Sequence, residues 1–126
     1  MAGILEHANI TVADAKATAA EFAALFDWHI RWEGGATNEG YTVHVGNDTS
    51  YLAIYAPIGA LEGTAQKYRQ AASLNHLGIV VDDLDATEAR VRAHGLKVHS
   101  HYDYEPGRRF YFMNRDGVEV EVVSYA

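Results

Sequence analysis

Two histidines, His7 and His76, head two similar apolar stretches, and two glutamates, Glu119 and Glu121, alternate with valines near the end of the chain. One neutral imidazole from each half and one carboxylate make a 2-His-1-carboxylate set, which leaves open positions on a divalent ion such as Fe, Mn, Ni or Zn. Tyr111 is a candidate acid or hydrogen-bond donor beside such a site, and Arg108 and Arg109 could pair with a substrate carboxylate. Tyr51 and Tyr55 flank Ala53 on one strand face, while Trp28, Trp32 and Tyr41 could form a stacking wall. Core packing is the other use for each of these aromatics. His44, His99 and His101 read as satisfied or exposed residues of strands and loops, and His29 and His94 as surface.

These side chains need elements to position them. Residues 7–12 alternate, with Ala8, Ile10 and Val12 apolar and His7, Asn9 and Thr11 polar, so a half-buried strand carries His7 on its polar face. Asp14 can cap a helix over residues 15–26, in which Phe22, Leu25 and Phe26 make one packing stripe. Residues 28–33 read as a strand, the glycines Gly34, Gly35 and Gly40 as a loop, and residues 41–45 and 51–56 as a hairpin closed at Asn47-Asp48. The pattern restarts at His76. A strand over residues 77–81 is followed by a helix through about His94, for which Asp82, Asp83 and Asp85 are candidate caps, ended by Gly95 in a left-handed conformation. A short strand over residues 96–99 and a loop over residues 100–107 come next. The last hairpin joins residues 109–113 and 118–124 through Asp116-Gly117. On the last strand Val118, Val120 and Val122 are the helix-packing set, which sends Glu119 and Glu121 to the other face.

The order β-α-β-β-β thus occurs twice. His7 and His76 are 69 residues apart, as are Asp14 and Asp83, and Asn47 and Asp116. The expected fold is α+β, a single domain over residues 1–126 with module one at 1–56, a linker at 57–73 and module two at 74–126. Two βαβββ modules would form a curled mixed sheet around a central cup with the helices outside. A short exposed helix is expected within the linker, over residues 64–72.

Composition limits the function classes. No apolar run approaches the ~20 residues that span a bilayer, and the N-terminus lacks the charged start and apolar core of a signal peptide. A cytoplasmic protein is expected. With no cysteine, disulfides, Cys-rich zinc sites and thiol nucleophiles are excluded. A net charge of -7 without a basic stripe argues against nucleic acid as a partner.

Three segments carry a family resemblance. They are E-H-A-N-I-T-V-A-D, then L-N-H-L-G-I-V-V-D-D-L-D with its helix ending A-H-G-L-K-V, and R-R-F-Y-F-M-N-R-D-G-V-E-V-E-V-V. Together they resemble the vicinal oxygen chelate superfamily, which includes glyoxalase I, fosfomycin-resistance proteins, extradiol dioxygenases, methylmalonyl-CoA epimerase and bleomycin-resistance proteins. The resemblance implies paired βαβββ modules around a metal cup. The ligands would be the histidine opening each module and the acid in the last strand of each. Carried over by position, the ligands are His7, His76 and Glu121, the last lying four residues past the glycine of the Asp116-Gly117 turn.

The departures from the family pattern are informative. The fourth ligand would fall at Ala53 or Leu52, neither of which binds metal, and this weakens a glyoxalase I or epimerase assignment. Arg115 replaces the proline of the dioxygenase signature. Against the fosfomycin branch, Asn9 stands where a threonine is expected, and Tyr102-Asp103-Tyr104-Glu105 replaces a basic loop. The resemblance leaves two functions open. One is a divalent-metal-dependent enzyme of lyase, isomerase, transferase or dioxygenase type, acting on a small substrate that chelates the metal through vicinal oxygens. The other is a metal-free small-molecule or drug-binding protein of the bleomycin-resistance type. A homodimer is expected in either case.

Overall fold

The computed structural model describes residues 1–63, 67–104 and 107–126. The chain divides into two compact units, Met1–Glu62 and Gly63–Ala126. The first contains β1 (His7–Thr11), α1 (Ala15–Phe26), β2 (His29–Gly35), β3 (Tyr41–Gly46) and β4 (Tyr51–Ala56). The second contains β5 (Leu77–Val80), α2 (Leu84–Ala93), β6 (Val98–Tyr104), β7 (Gly107–Met113) and β8 (Glu119–Ser124). Each unit is therefore βαβββ, and the fold is α+β. The sheets run β1-β4-β3-β2 and β5-β8-β7-β6. In each, the first strand lies parallel to the last and the remaining pairs are antiparallel.

The helices start where the aspartates stop the strands. Asp14 and Asp83, both in extended conformation, accept from Ala17 N and Ala86 N, each at 3.0 Å. A cap of this kind is worth ~1 kcal/mol. Helix α1 buries Ala15, Thr18, Ala19, Phe22 and Leu25, a stripe at helical spacing that lies on its own sheet. Helix α2 buries Leu84, Thr87 and Val91. Opposite α1 the core is Ile10, Val43, Val45, Leu52 and Ile54, and opposite α2 it is Phe110, Phe112, Val120 and Val122. Gly95, at φ 78, ends α2 in the left-handed region, where a residue lacking Cβ is unstrained.

The register places the two units in correspondence. Asn9 pairs with Ala53 across β1 and β4, and Gly78 pairs with Glu121 across β5 and β8. His44 stands opposite Ala53, and Tyr111 opposite Glu121. Ala53, not Leu52, is thus the first unit's counterpart of Glu121. Leu52 instead stands opposite the core residue Val45.

The matching of Asn47 to Asp116 is corrected by the turns themselves. Asn47 Oδ1 accepts from Thr49 N and Ser50 N, and it is Asn114, 67 residues on, whose Oδ1 accepts from Asp116 N and Val118 N. The second turn is one residue longer, so the constant spacing of 69 holds for the histidines and caps but not through the hairpins.

Three element boundaries also differ from expectation. Strand β2 continues through Gly34 and Gly35, paired to Thr42 and Tyr41. Residues 100–104 are strand, not loop, because Tyr102, Asp103 and Tyr104 pair with Arg109, Arg108 and Gly107. A bulge at Ser100, φ 57, breaks the register between His99 and Tyr102 and re-aims the chain. Among the described residues of the linker, 67–72 form turns and bends in place of a helix. Residues 64–66 of the expected helix, and Glu105 and Pro106 of the expected loop, lie outside the described residues.

Gly46 closes β3 against the next strand, and a Cβ there would overlap the Ser50 carbonyl oxygen and stand 2.5 Å from Tyr51 Cα. Both are backbone atoms that no rotamer change can move. Gly46→Ala is expected to lower unfolding free energy by about 1–3 kcal/mol, measured by urea denaturation. A change below about 0.5 kcal/mol would show that the hairpin tolerates the methyl group.

Candidate functional site

Strand alternation builds the site in the second unit. Val120 and Val122 are fully buried on the helix side of β8, so Glu119 and Glu121 project from the opposite face. On β7 the same division sends Arg108 toward α2, where it donates to Asp85 Oδ1 at 2.8 Å. Arg109 and Tyr111 project to the Glu121 side. Arg108 is therefore a helix-to-sheet contact, and of the two arginines only Arg109 joins the candidate residues.

Glu121, with its side chain 14 % exposed, is held at both oxygens. Tyr111 donates a short hydrogen bond to Oε1, and Arg109 donates from Nη1 to Oε2 at 3.3 Å. The bond to the Glu121 carboxylate, then burial, then that carboxylate's negative charge all raise the Tyr111 pKa. The phenol accordingly stays protonated. His76 sits just ahead of β5, with Nε2 3.6 Å from Glu121 Oε1 and Nδ1 2.7 Å from Asn75 Oδ1. The ring is thus held at Nδ1 by Asn75, and its Nε2 faces the Glu121 carboxylate. Gly78, beside Glu121 on β5, offers no side chain to cover it, and the space above it is open.

Aromatic rings frame this group. His99 stacks on Tyr111 at 6.0 Å, and Tyr102 meets the same ring edge-on at 6.2 Å. The Arg109 guanidinium lies over Tyr104 at 4.8 Å. A cavity of about 270 Å³ is lined by Tyr68, Asn75, His76, His99, Ser100, Tyr102, Tyr111 and Glu119. His99, expected as a satisfied or exposed residue of a strand or loop, lines this cavity. Tyr102 enters through the Ser100 bulge, which no feature of the sequence marks. The alternation of Val98, Tyr102 and Tyr104 with polar residues was the one available signal.

Glu119 has a different task. Its Oε2 accepts from Lys67 Nζ at 2.8 Å and its Oε1 from Tyr68 at 2.9 Å, with the Lys67 and Glu119 side chains 18 % and 11 % exposed. Lys67 also donates to Asn75 O at 2.8 Å. The linker is thereby strapped onto the second unit, and Tyr68 becomes part of the cavity wall.

The first unit carries the same frame with different chemistry. His7 stacks on Tyr51 at 4.9 Å with Nδ1 2.9 Å from Glu6 Oε1, and His44 stacks on Tyr51 at 4.5 Å. Burial, then the positive charges of His7 and Arg31, lower the His44 pKa and favour a neutral ring. A cavity of about 630 Å³ borders His7, Asn9, Thr42, His44, Ala53 and Tyr55. It has no carboxylate, since Ala53 takes the place of Glu121. The expected wall of Trp28, Trp32 and Tyr41 is divided. Trp28 packs on Phe22 and Phe26 of α1, Tyr41 donates to Glu33, and Trp32 lies against His44.

Among the described residues no cluster of three His, Cys, Asp or Glu side chains could hold a metal ion. The second unit offers the pair His76 and Glu121, joined by Tyr111 and Arg109. His7 belongs to the first unit, where it has the place that His76 has in the second.

The model of the glyoxalase/bleomycin resistance protein/dioxygenase superfamily matches residues 6–112. The chain belongs to this superfamily. No curated protein sequence matches it significantly. Similar solved structures include a glyoxylase/bleomycin resistance protein/dioxygenase domain from Frankia sp. EAN1pec, at 18% identity and TM-score 0.82 over 98% of this chain and 92% of that one. The glyoxalase family protein from Enterococcus faecalis is 16% identical, with TM-score 0.77 over 95% and 96% of the two chains. A mutant of the fosfomycin resistance protein FosX from Listeria monocytogenes, complexed with Mn(II) and a dihydroxypropylphosphonic acid, is 19% identical, with TM-score 0.73 over 98% and 93%. Among the described residues of this superfamily member, no helix is long and apolar enough to cross a membrane.

The strap gives a pH-dependent test. Burial alone would raise the Glu119 pKa, but the bonds from Lys67 and Tyr68 outweigh it, and the carboxyl lies below the usual range. A depressed folded pKa means that its stabilisation is present above the unfolded value, near 4.5, and is lost as the pH falls through the folded value. Glu119→Gln is expected to cost about 1.5–3 kcal/mol at neutral pH. In denaturation curves the wild-type advantage should vanish as the pH is lowered below that window. An advantage that persists in acid would rule out the Lys67 and Tyr68 bonds as its source.

Proposed function

We propose that this superfamily member is a divalent-metal-dependent enzyme acting on a small substrate that chelates the ion through vicinal oxygens. The observation that carries the reading is the pairing of His76 Nε2 with Glu121 Oε1 at 3.6 Å. An imidazole nitrogen and a carboxylate oxygen this close present two donors to one cation. The separation suits one ion bound at ~2.0–2.2 Å to each atom, so this pair offers two of the donors that the family implies. His76 and Glu121 are the second unit's ligands, and His7 is the corresponding donor of the first. FosX, a structural neighbour, has been seen with Mn(II). Fe, Mn, Ni and Zn all suit nitrogen and carboxylate donors.

When bound, such an ion supplies Lewis-acid charge to the substrate oxygens. The remaining roles fall to the chain itself. Tyr111, its phenol kept protonated by Glu121, serves as a hydrogen-bond donor and not as a base. His99 and Tyr102 fix its ring plane. Arg109 is the cation at the substrate side of β7, held over Tyr104. The reaction would be of lyase, isomerase, transferase or dioxygenase type.

A second reading has one observation in its favour. Glu121 is already bonded at both oxygens by its own neighbours, as it would be in a metal-free binding protein with an aromatic pocket. Protein purified without chelators separates the two. The enzyme reading expects about one equivalent of a transition metal. Less than about a tenth of an equivalent, with no uptake of added Mn, Fe, Ni or Zn, would favour the metal-free protein. His76→Ala should weaken metal binding by more than about 100-fold, since even partners of ligands contribute roughly 10–100-fold. Circular dichroism should show the fold retained, and unchanged metal content would remove His76 from the site.

A further inference from the structure

Among the described residues, Arg109 carries a buried side-chain nitrogen that lacks a hydrogen-bond partner. Its Nη1 reaches Glu121 Oε2 at 3.3 Å and its Nη2 reaches Gly107 O at 3.3 Å, both at the long end for such bonds. Its Nε is buried with no hydrogen-bond partner among the described residues. Yet the side chain is only 12 % exposed, and the Tyr104 ring supports the guanidinium at 4.8 Å. The contacts with Tyr104 and Gly107 do not involve Glu121. They would keep the guanidinium in place after Glu121 had turned to another cation.

We infer that Arg109 is the resting counter-ion of Glu121, a built-in competitor that an incoming divalent cation must displace, and that it sets how tightly the site holds metal. The inference rests on the metal reading above. A carboxylate at this depth needs a cation, and Arg109 supplies one through a long bond that is readily exchanged. Because Tyr104 retains the guanidinium, its charge stays beside the incoming ion and repels it. Arg109 is thus a positioning residue for Glu121, and it weakens metal affinity while stabilising the metal-free protein.

The test titrates Mn(II) alone into the metal-stripped full chain at fixed neutral pH, for wild type, Arg109→Met and Arg109→Lys. Binding is read by calorimetry and melting temperature is recorded with and without Mn(II). Arg109→Met should bind Mn(II) at least about tenfold more tightly. It should melt below wild type without metal and gain more on adding it. Arg109→Lys, which keeps the charge, should stay within about threefold of wild type. Should Arg109→Met not fold, Arg109→Gln carries the same expectation. Wild type that binds Mn(II) beside an uncharged variant that binds it no more tightly would overturn this inference alone. Equal tightening by Arg109→Lys would do the same. If none of the proteins takes up Mn, Fe, Ni or Zn, the metal reading falls and this inference with it.

Discussion

The two-sided alternation of β8 is the constraint on which the second unit depends. Val120 and Val122 fix one face against α2, so Glu119 and Glu121 must occupy the other. Two carboxylates at 11 % and 14 % exposure would each cost several kcal/mol if left unpaired. The surroundings are arranged to prevent that. Arg109 and Tyr111 come from β7, and Lys67 and Tyr68 come from the linker. Arg109 in turn needs Tyr104 beneath it, which requires β6 to run past His99. That extension needs the bulge at Ser100.

The first unit has the same topology without this constraint. Where the second has Gly78, Tyr111 and Glu121, the first has Asn9, His44 and Ala53. With a methyl group in place of the carboxylate, no buried charge requires a cation. The face is filled instead by rings, with Tyr51 lying between the imidazoles of His7 and His44. Hydrophobic packing against the helix preserves the shared frame. The polar face, which contributes little to that packing, is free to differ.

Residues whose signals are local were readable in the sequence. Asp14 and Asp83 cap helices because a strand ends at each and an apolar stripe follows. Glu121 faces the site because valines alternate with it. The hairpin offset misled, since turns are closed by side-chain bonds and Asn114, not Asp116, does for its turn what Asn47 does in the first. The extent of β6 was hidden because its partner residues lie on another strand, and sheet pairing overrides the polar look of Tyr102-Asp103-Tyr104. The strap was invisible for the same reason. Nothing local to Lys67 signals that Glu119, 52 residues away, will bury it.

Two glutamates on one strand face have come to opposite uses, and bond geometry explains the division. Glu119 is locked by Lys67 at 2.8 Å and Tyr68 at 2.9 Å, with the ammonium also tied to Asn75 O. Removing Lys67 would leave the Glu119 carboxylate, 11 % exposed, without its cation, so this group resists exchange. Glu121 meets its cation at 3.3 Å, and that cation keeps a donor in reserve. Its other oxygen accepts from Tyr111 and faces His76 and the uncovered space over Gly78. Glu119 meets its cation through a short bond and serves the structure, whereas Glu121 meets its cation through a longer one, beside the His76 imidazole. On this face Glu121 is the carboxylate beside the histidine, and Glu119 fixes the wall that Tyr68 provides.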